Sequence, residues 1–188
     1  MANIDLTTLC MGEVVTNLKG AKTIPLSANG APIVWTPDFC QVAFQPSAFG
    51  GEDVSRVNLV MKLSEEVICA LTALDFYIIG LLSVNSVKIF GRDMTIEEVK
   101  ARFSPSIKTS DKGYSSTFKC KITLGDGKGT VKCWDTEKQK REVPEDWTLC
   151  RAKPKICVKN LWLMSREIGI LFECSDVQID ESPVACPF

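Results

Sequence analysis

The chain contains no histidine, and this absence removes several classes of chemistry at once. Without imidazole there can be no Ser-His or Cys-His nucleophile pair, no histidine-bound metal and no acid–base catalysis by histidine. The acidic pairs Glu65-Glu66 and Glu97-Glu98 stand at predicted helix starts, where negative charge stabilises the helix. We therefore predict that the protein is not an enzyme and uses no metal and no other cofactor.

The CxxC spacing of zinc ribbons and thioredoxin-like sites is also missing, although the chain has nine cysteines. Their number is odd and their spacing is scattered, which argues against a disulfide framework. Cys69, Cys120 and Cys157 lie in apolar runs, where a free thiol packs as a small hydrophobic group. These features predict a reducing, intracellular compartment.

No secretory signal is expected, because the N-terminal stretch lacks a basic region followed by an apolar one. The apolar run from Val67 to Val84 is long enough to cross a membrane. Asp75 lies near its centre, however, and a charge there is costly in a bilayer. We therefore predict a buried helix in this run and no membrane partner.

The 188 residues, 45% of them hydrophobic, predict one domain over residues 1–179, followed by a flexible acidic tail over 180–188. Short runs rich in β-branched and aromatic residues alternate with turn residues, which is typical of strands. The predicted strands are EVVTNLK, KTIPLS, APIVW, FCQVAF, RVNLVMKL, SIKTS, YSSTFKCKITL, GTVKCWDT, KPKICVKNLWLM and EIGILFECSDVQI.

Helical patterns interrupt these strands in the middle of the chain. Ser64 is a predicted N-cap, and Val67, Leu71, Leu74, Ile78 and Leu82 then share one face of a long helix. Because the opposite side is almost as apolar, we expect most of the helix surface to be covered. A shorter helix begins at Thr95, which has capping-box spacing to Glu98, and a helical turn is predicted after Pro144.

Charge is unevenly distributed, although the net charge is only −1. From Ser104 to Arg166 there are 14 lysines and arginines against 7 acidic residues, a net charge of +7. The rest of the chain carries 8 against 16, a net charge of −8. A basic module of this kind indicates an anionic partner, and the alternative is two unevenly solvated surfaces.

Within this module, basic residues alternate with apolar and aromatic ones along the predicted strands. Lys119 and Lys121 are two residues apart and should share one face, as should Lys153, Lys155 and Lys159. Two tryptophans, Trp134 and Trp162, lie near these lysines. Lysines that follow phosphates and rings that stack on bases are typical of proteins that bind single-stranded nucleic acid. Alternatively, both rings belong to the core and the lysines simply face solvent.

Three segments together resemble a known family. They are SPSIKTSDKGYSSTFKCKITL, VKCWDTEKQKREV and PKICVKNLWLMSREIGILFECSDVQI. They are similar to the single-stranded-DNA-binding proteins of T7-type phages, and more so to those of nucleo-cytoplasmic large DNA viruses. The resemblance covers roughly residues 103–179, and the first half only in general shape. The aromatic-glycine pair of that family is replaced here by Ile168-Gly169, which removes one stacking candidate.

The resemblance implies a mainly β protein with helices, namely an OB-fold-like β-barrel with a long buried helix packed against it. It also implies a groove for single strands. The candidate binding residues are Lys108, Lys112, Tyr114, Lys119, Lys121, Lys132, Trp134, Lys153, Lys155, Lys159, Trp162 and Arg166.

The chain end is similar to the acidic, aromatic-terminated tails of that family. Asp180, Glu181 and the terminal Phe188 would recruit replication proteins such as a polymerase or helicase. We expect residues 176–188 to be mobile, because Pro183 and Pro187 cannot continue a central strand. A frayed terminus without this role is the alternative.

These observations predict a protein that coats and protects unwound DNA in replication, recombination or repair, within the cytoplasm or nucleus of a virus-infected cell. One alternative is a β-rich viral structural or scaffold protein, whose basic face would be an assembly surface. Another alternative is an RNA-binding regulator. The sequence leaves open whether DNA or RNA is preferred and whether the protein forms a homodimer.

Overall fold

The protein is mainly β with one long helix, as predicted. The computed structural model describes residues 5–47, 56–109, 115–125 and 129–181. The strands are β1 Leu9–Met11, β2 Val15–Thr16, β3 Lys22–Ala28, β4 Ile33–Trp35, β5 Cys40–Ser47, β6 Arg56–Lys62, β7 Ile107–Lys108, β8 Thr117–Thr123, β9 Lys132–Trp134, β10 Lys140–Arg141, β11 Arg151–Leu163 and β12 Ile168–Asp180. The helices are α1 Glu65–Val84, α2 Ser86–Phe90 and α3 Ile96–Lys100.

Five of these strands close a barrel. Going round it, β5 pairs with β6, β6 with β8, β8 with β12, β12 with β11, and β11 with β5 again. The β8–β12 pairing is parallel and the others are antiparallel. Numbered along the chain, the barrel strands follow the order one, two, three, five, four. This is the Greek-key order of the OB-fold, so the predicted fold class is confirmed.

Of the remaining strands, β4 pairs with β11 and β7 with β8, and the other five extend the barrel at two ends. β3 pairs with one end of β11 and carries β1 and β2 on its other edge. β9 pairs with the far end of β12 and carries β10. All ten predicted strands are present. β1 and β10 were not predicted, because strands of three and two residues are too short to show a period.

The barrel interior is filled by alternate residues of its strands. On β8, Phe118, Cys120 and Ile122 point inward, and the Phe118 ring meets Phe172 edge-on at 4.9 Å between centroids. Every cysteine in the described part of the chain is free, and five of the eight are buried. Cys120 packs as predicted, but Cys69 is exposed on α1 and Cys157 is half-buried.

Helix α1 begins and packs as predicted. The Ser64 side chain accepts a hydrogen bond from the backbone N–H of Val67, and the predicted stripe from Val67 to Leu82 is buried. Most of its residues are buried or half-buried, as expected, but Phe76 and Val84 remain exposed. The length and composition of α1 would allow it to cross a membrane. The core helices of proteins that do not enter a membrane often have the same length and composition.

The shorter helical elements follow their sequence signals. Thr95 and Glu98 form the predicted capping box at the start of α3, with each side chain accepting from the other residue's backbone N–H. A turn of 3-10 helix at Trp147–Leu149 follows Pro144. Trp147 is buried in it, which ties this connection to the barrel.

The last strand has the predicted length and lies one residue further along the chain. β12 continues to Asp180, and Val177 and Ile179 are fully buried. The expectation that the chain becomes mobile from residue 176 was therefore wrong for residues 176–180. Alternation continues here because the acidic and polar residues face outward while the apolar ones fill the barrel.

Candidate nucleic-acid interface

Strand β8 places two lysines on the outside of the barrel. Lys119 and Lys121 alternate with buried residues and therefore share the outer face, as predicted. Partial burial lowers the pKa of Lys121, and the nearby charges of Arg56 on β6 and of Lys119 lower it further. In the described part of the chain neither lysine has an ion pair. An anion bound here would relieve the repulsion between these cations.

A carboxylate beside these two lysines is already engaged. Glu173 lies beside Lys121 in the parallel register of β8 and β12. Its Oε1 accepts from Arg56 Nη2 at 2.5 Å, and its Oε2 lies 3.5 Å from Lys159 Nζ. Glu173 therefore holds Arg56 and Lys159 and leaves the two β8 lysines free for another anion.

Trp162 lies flat against the neighbouring strand. It is directly opposite Gly169 in the β11–β12 register. A Cβ at residue 169 would lie 2.7 Å from the ring atom Cε2 and 3.0 Å from Nε1, so only glycine allows this close approach. The ring is half-buried, with one side held by Gly169 and the rest lining an open depression. Such a fixed ring can stack on a base without losing much side-chain freedom.

Lys108 comes to the same place from a third segment. It lies on β7, which pairs with the start of β8, and its ammonium donates to Ser104 Oγ at 3.2 Å. The adjacent Ser106 donates from its backbone N–H (2.8 Å) and its hydroxyl (2.5 Å) to the carboxylate of Asp75 on α1. These bonds fasten β7 to the helix. Burial raises the pKa of Asp75, which the Ser106 bonds and the charge of Lys108 partly oppose.

These side chains surround one depression on the barrel surface, which we name the groove. Its volume is about 330 Å³. Its lining consists of Asn58, Ser104, Pro105, Ser106, Lys108, Lys119, Cys120, Lys121, Trp162, Met164, Ile170, Leu171 and Phe172. Four of the twelve predicted binding residues therefore meet here. Asn58, Ser104 and Met164 were missed, since nothing local distinguishes a groove-facing polar residue from a solvent-facing one.

The lysines of β11 have a different environment. Lys155 Nζ lies 3.8 Å from Asp176, Lys159 Nζ 3.5 Å from Glu173, and Lys153 Nζ 3.7 Å from Asp38. All three point away from the core, as predicted, but each faces a carboxylate. We name the outer face that carries Lys155, Lys159, Glu173 and Asp176 the hairpin strip.

Trp134 lies beside this strip and outside the groove. It is next to Gln178 in the β9–β12 register, and its Nε1 donates to Asp176 Oδ1 at 3.2 Å. Partial burial alone would raise the pKa of Asp176, but hydrogen bonds from Ser175 and Trp134, together with the charges of Lys155 and Lys132, lower the pKa overall. Lys132 is exposed, and it is the register partner of Asp176. Trp134 is neither a core residue nor part of the groove.

The remaining predicted residues are scattered. Arg166 is exposed at the tip of the β11–β12 hairpin, outside the groove. Asp180 is the last residue of β12, within 3.9 Å of Arg151, and Glu181 accepts from Arg141 Nη2 at 2.6 Å. Both acidic residues are therefore held against the barrel. Lys112, Tyr114 and Phe188 lie outside the described residues.

No group of three or more acidic or cysteine side chains that could hold a metal ion occurs among the described residues.

Comparisons with known proteins give structural neighbours but no sequence relatives. No family model matches the chain, and no curated protein matches it. One similar solved structure is the single-stranded DNA-binding protein from bacteriophage Enc34 in complex with ssDNA. Its TM-score is 0.47 at 13% identity, over 92% of this chain and 98% of that one.

A second is gp2.5, a single-stranded DNA binding protein encoded by bacteriophage T7. Its TM-score is 0.47 at 13% identity, over 82% of this chain and 96% of that one. Both neighbours are phage single-stranded-DNA-binding proteins, the class that the sequence motifs resemble. We base the fold assignment on the strand order of the barrel, and any function on the side chains of the groove.

Proposed function

We propose that the protein binds single-stranded DNA in the groove without reading its sequence. The observation that carries this proposal is the combination, in one depression, of the fixed Trp162 ring with Lys108, Lys119 and Lys121. The lysines lie where phosphates would neutralise their mutual repulsion, and the ring offers a face to an unpaired base. A duplex keeps its bases stacked inside and cannot use the ring, so single strands are preferred.

A protein with this preference coats DNA as it is unwound, protects it from nucleases and removes hairpins during replication or recombination. It performs no catalysis itself. The free thiols suit a reducing compartment, such as the replication site of a virus within its host cell. RNA shares the phosphates and bases that the groove would contact, so discrimination between DNA and RNA is a separate measurement.

The C-terminal tail is proposed to recruit replication proteins. Because Asp180 and Glu181 are held by arginines, this role falls to residues 182–188. Removing Ser182 to Phe188 should leave the melting temperature unchanged, since β12 is kept whole, and should leave DNA affinity equal or higher. Contact with a polymerase or helicase should fall. A large loss of stability would show that the tail is part of the fold and would refute the recruitment role.

One observation favours a second candidate, a structural or scaffold protein that assembles with itself or with other proteins. Helices α1, α2 and α3 expose four apolar side chains, Phe76, Val84, Val87 and Ile96. Apolar side chains exposed together on one side of a protein often mark an interaction surface. In that case the lysines of the groove would meet an acidic protein surface and would be indifferent to nucleic acid.

The deciding experiment titrates the protein with a fluorescent oligo-dT strand and with a duplex of equal length, at several salt concentrations. We expect tighter binding of the single strand than of the duplex. For each phosphate contact, the logarithm of the binding constant should fall by about 0.7 when the salt concentration rises tenfold. Equal binding of both, or of neither, would contradict the proposed function. Absence of binding together with concentration-dependent self-association would support the scaffold protein.

A further inference from the structure

A second basic depression, the tip cleft, lies beyond the end of the groove. Its volume is about 670 Å³, and it lies between the β2–β3 turn, α2 and the β11–β12 hairpin. Lys19, Lys22, Arg92 and Arg102 line it against one acidic residue, Glu167. Nothing in the charge pattern of the sequence pointed to it, because all four cations lie outside the basic module of residues 104–166.

Three of these cations are available for an anion. Arg92 is held by Glu98 at 3.0 Å. Lys19, Lys22 and Arg102 have no ion pair within the described residues. Lys19 and Lys22 are exposed, and Arg102 is half-buried. The tip cleft therefore keeps a net positive charge, although Glu167 lines it and Glu98 lies near both arginines.

The tip cleft and the groove meet at the hairpin tip. Met164 lines both depressions. The segment around Phe103 links them as well, because Ile168 N donates to Arg102 O at 2.9 Å and Ser104 N donates to Ile168 O at 2.7 Å. Arg102 thus faces the tip cleft, while Ser104, two residues later, lines the groove and accepts from Lys108.

The two depressions open on either side of β11 near the hairpin tip. Trp162 and Leu163 are consecutive on β11 and so point to opposite sides, Trp162 into the groove and Leu163 into the tip cleft. Lys22 is the register partner of Leu163. A ligand that occupies both depressions must turn around the exposed Met164 side chain. A single strand can make this turn easily, whereas duplex DNA, with a persistence length of about 150 base pairs, resists so sharp a bend.

We infer that a bound single strand continues from the groove around the hairpin tip, and that Lys19, Lys22 and Arg102 neutralise its phosphates in the tip cleft. This inference rests on the proposed function, since the strand must first occupy the groove. It assigns the tip cleft to phosphates alone. The affinity that the tip cleft adds therefore depends on strand length and on salt concentration, and it does not depend on base identity.

The test compares oligo-dT strands of about six and about sixteen nucleotides, near the limits of OB-fold site sizes. For the intact protein we expect the longer strand to show a steeper salt dependence. In the variant Lys19→Gln/Lys22→Gln this extra slope should shrink by about 1.4, or about 0.7 for each lost phosphate contact. Binding of the short strand should stay unchanged.

The matched control is Lys138→Gln/Lys140→Gln, which removes the same charge at the β9–β10 turn, near the far end of β12. It should keep the full length-dependent slope. Lys22 is a strand residue, so the double variant could melt early. In that case Lys19→Gln alone, which changes a residue of an exposed turn, tests the inference. Its extra slope on the long strand should shrink by half as much as in the double variant.

The outcomes separate the inference from the function. If neither strand binds the intact protein, the proposed function fails, and the inference with it. If both strands bind and Lys19→Gln/Lys22→Gln behaves like the control on the long strand, the groove function stands and the tip cleft inference is overturned. A loss on both strand lengths would also overturn it, because the lysines would then act on the groove itself.

Discussion

The groove and the hairpin strip carry lysines on the same barrel wall, yet their electrostatic settings are opposite. In the groove, Lys119 and Lys121 face other cations and have no ion pair among the described residues. In the hairpin strip, Lys155 and Lys159 lie within 4 Å of Asp176 and Glu173. A lysine count along the sequence treats these four residues alike. What distinguishes them is the neighbouring strand.

The aromatic residues show the same contrast. Trp162 lies on a glycine and opens into the groove, whereas Trp134 uses its Nε1 to bond Asp176. A ring beside a carboxylate is a poor place for a phosphate backbone, because the two anions repel. We therefore expect DNA to bind at the groove and to contribute little at the hairpin strip.

The largest expected effect is from Trp162→Ala. Loss of one stacking ring should cost ~1–3 kcal/mol of binding free energy for each base it stacks. Trp162→Phe, which keeps a ring, should recover much of the loss. Affinity is measured by oligo-dT titration, with melting curves for both variants. A Trp162→Ala protein that melts far earlier, with unchanged affinity while folded, would make Trp162 a structural residue.

The next effect concerns the two lysines of β8. Lys119→Gln/Lys121→Gln should make the plot of log binding constant against log salt concentration less steep. The slope should fall by about 1.4, because each lost phosphate contact removes about 0.7. Affinity should fall most at low salt and converge with that of the intact protein at high salt. An unchanged slope would mean that no phosphate lies near these residues.

Gly169→Ala should have an intermediate effect, because the Trp162 ring is displaced but still present. The new methyl group would overlap the ring, and overpacking of this kind costs ~1–3 kcal/mol of folding free energy. Gly80→Ala is the control: no atom lies within 4 Å of a Cβ there, and alanine should stabilise the interior of α1 by up to ~1 kcal/mol. Urea unfolding and oligo-dT titration measure both. Unimpaired binding by Gly169→Ala would separate the ring from the DNA.

Lys155→Gln/Lys159→Gln should change binding least. It removes the same charge as the β8 double variant, but from lysines whose charge is already compensated. The lost ion pairs are exposed, so stability should fall by no more than ~1 kcal/mol per pair. If this variant lost as much salt dependence as the β8 double variant, DNA would follow the hairpin strip and the contrast between the two regions would be refuted.

The smallest effect is a pH dependence of stability from Asp75. Burial raises its pKa in the folded protein above the ordinary 3.8. The stability contributed by its protonated form is complete below that value and is lost as pH rises through the raised pKa. Urea unfolding of Asp75→Asn, which cannot ionise, should therefore show stability rising relative to the original protein over this range. A constant difference would mean that Asp75 titrates normally.

The sequence predicted the strands and caps because these depend on local patterns. Period-two alternation marked β8 and β11, and the Ser64 and Thr95 caps were identified from two or three neighbouring residues. The exposure of Phe76 on α1 was not predictable in this way. Helical spacing shows which side is apolar, but it does not show what covers that side.

The site was predicted only in part, because it depends on register. Two bulges in the β11–β12 hairpin, one at Ser175 of β12 and one at Lys159 of β11, decide which lysine meets which acidic residue of β12. The same register places Gly169 under Trp162. Neither relation can be read from spacing along one strand. Lys119, Lys121 and Trp162 were nevertheless identified, because alternation and residue type are sufficient for residues on a curved outer face.

The most direct test of the central claim is to follow the four indole N–H signals of the tryptophans by NMR while oligo-dT is added. Trp35 and Trp147 are buried, Trp134 is bonded to Asp176, and Trp162 lines the groove. We predict that the Trp162 signal shifts strongly and the other three change little. A strong shift of Trp134 with an unmoved Trp162 would contradict the assignment of the groove as the DNA-binding site.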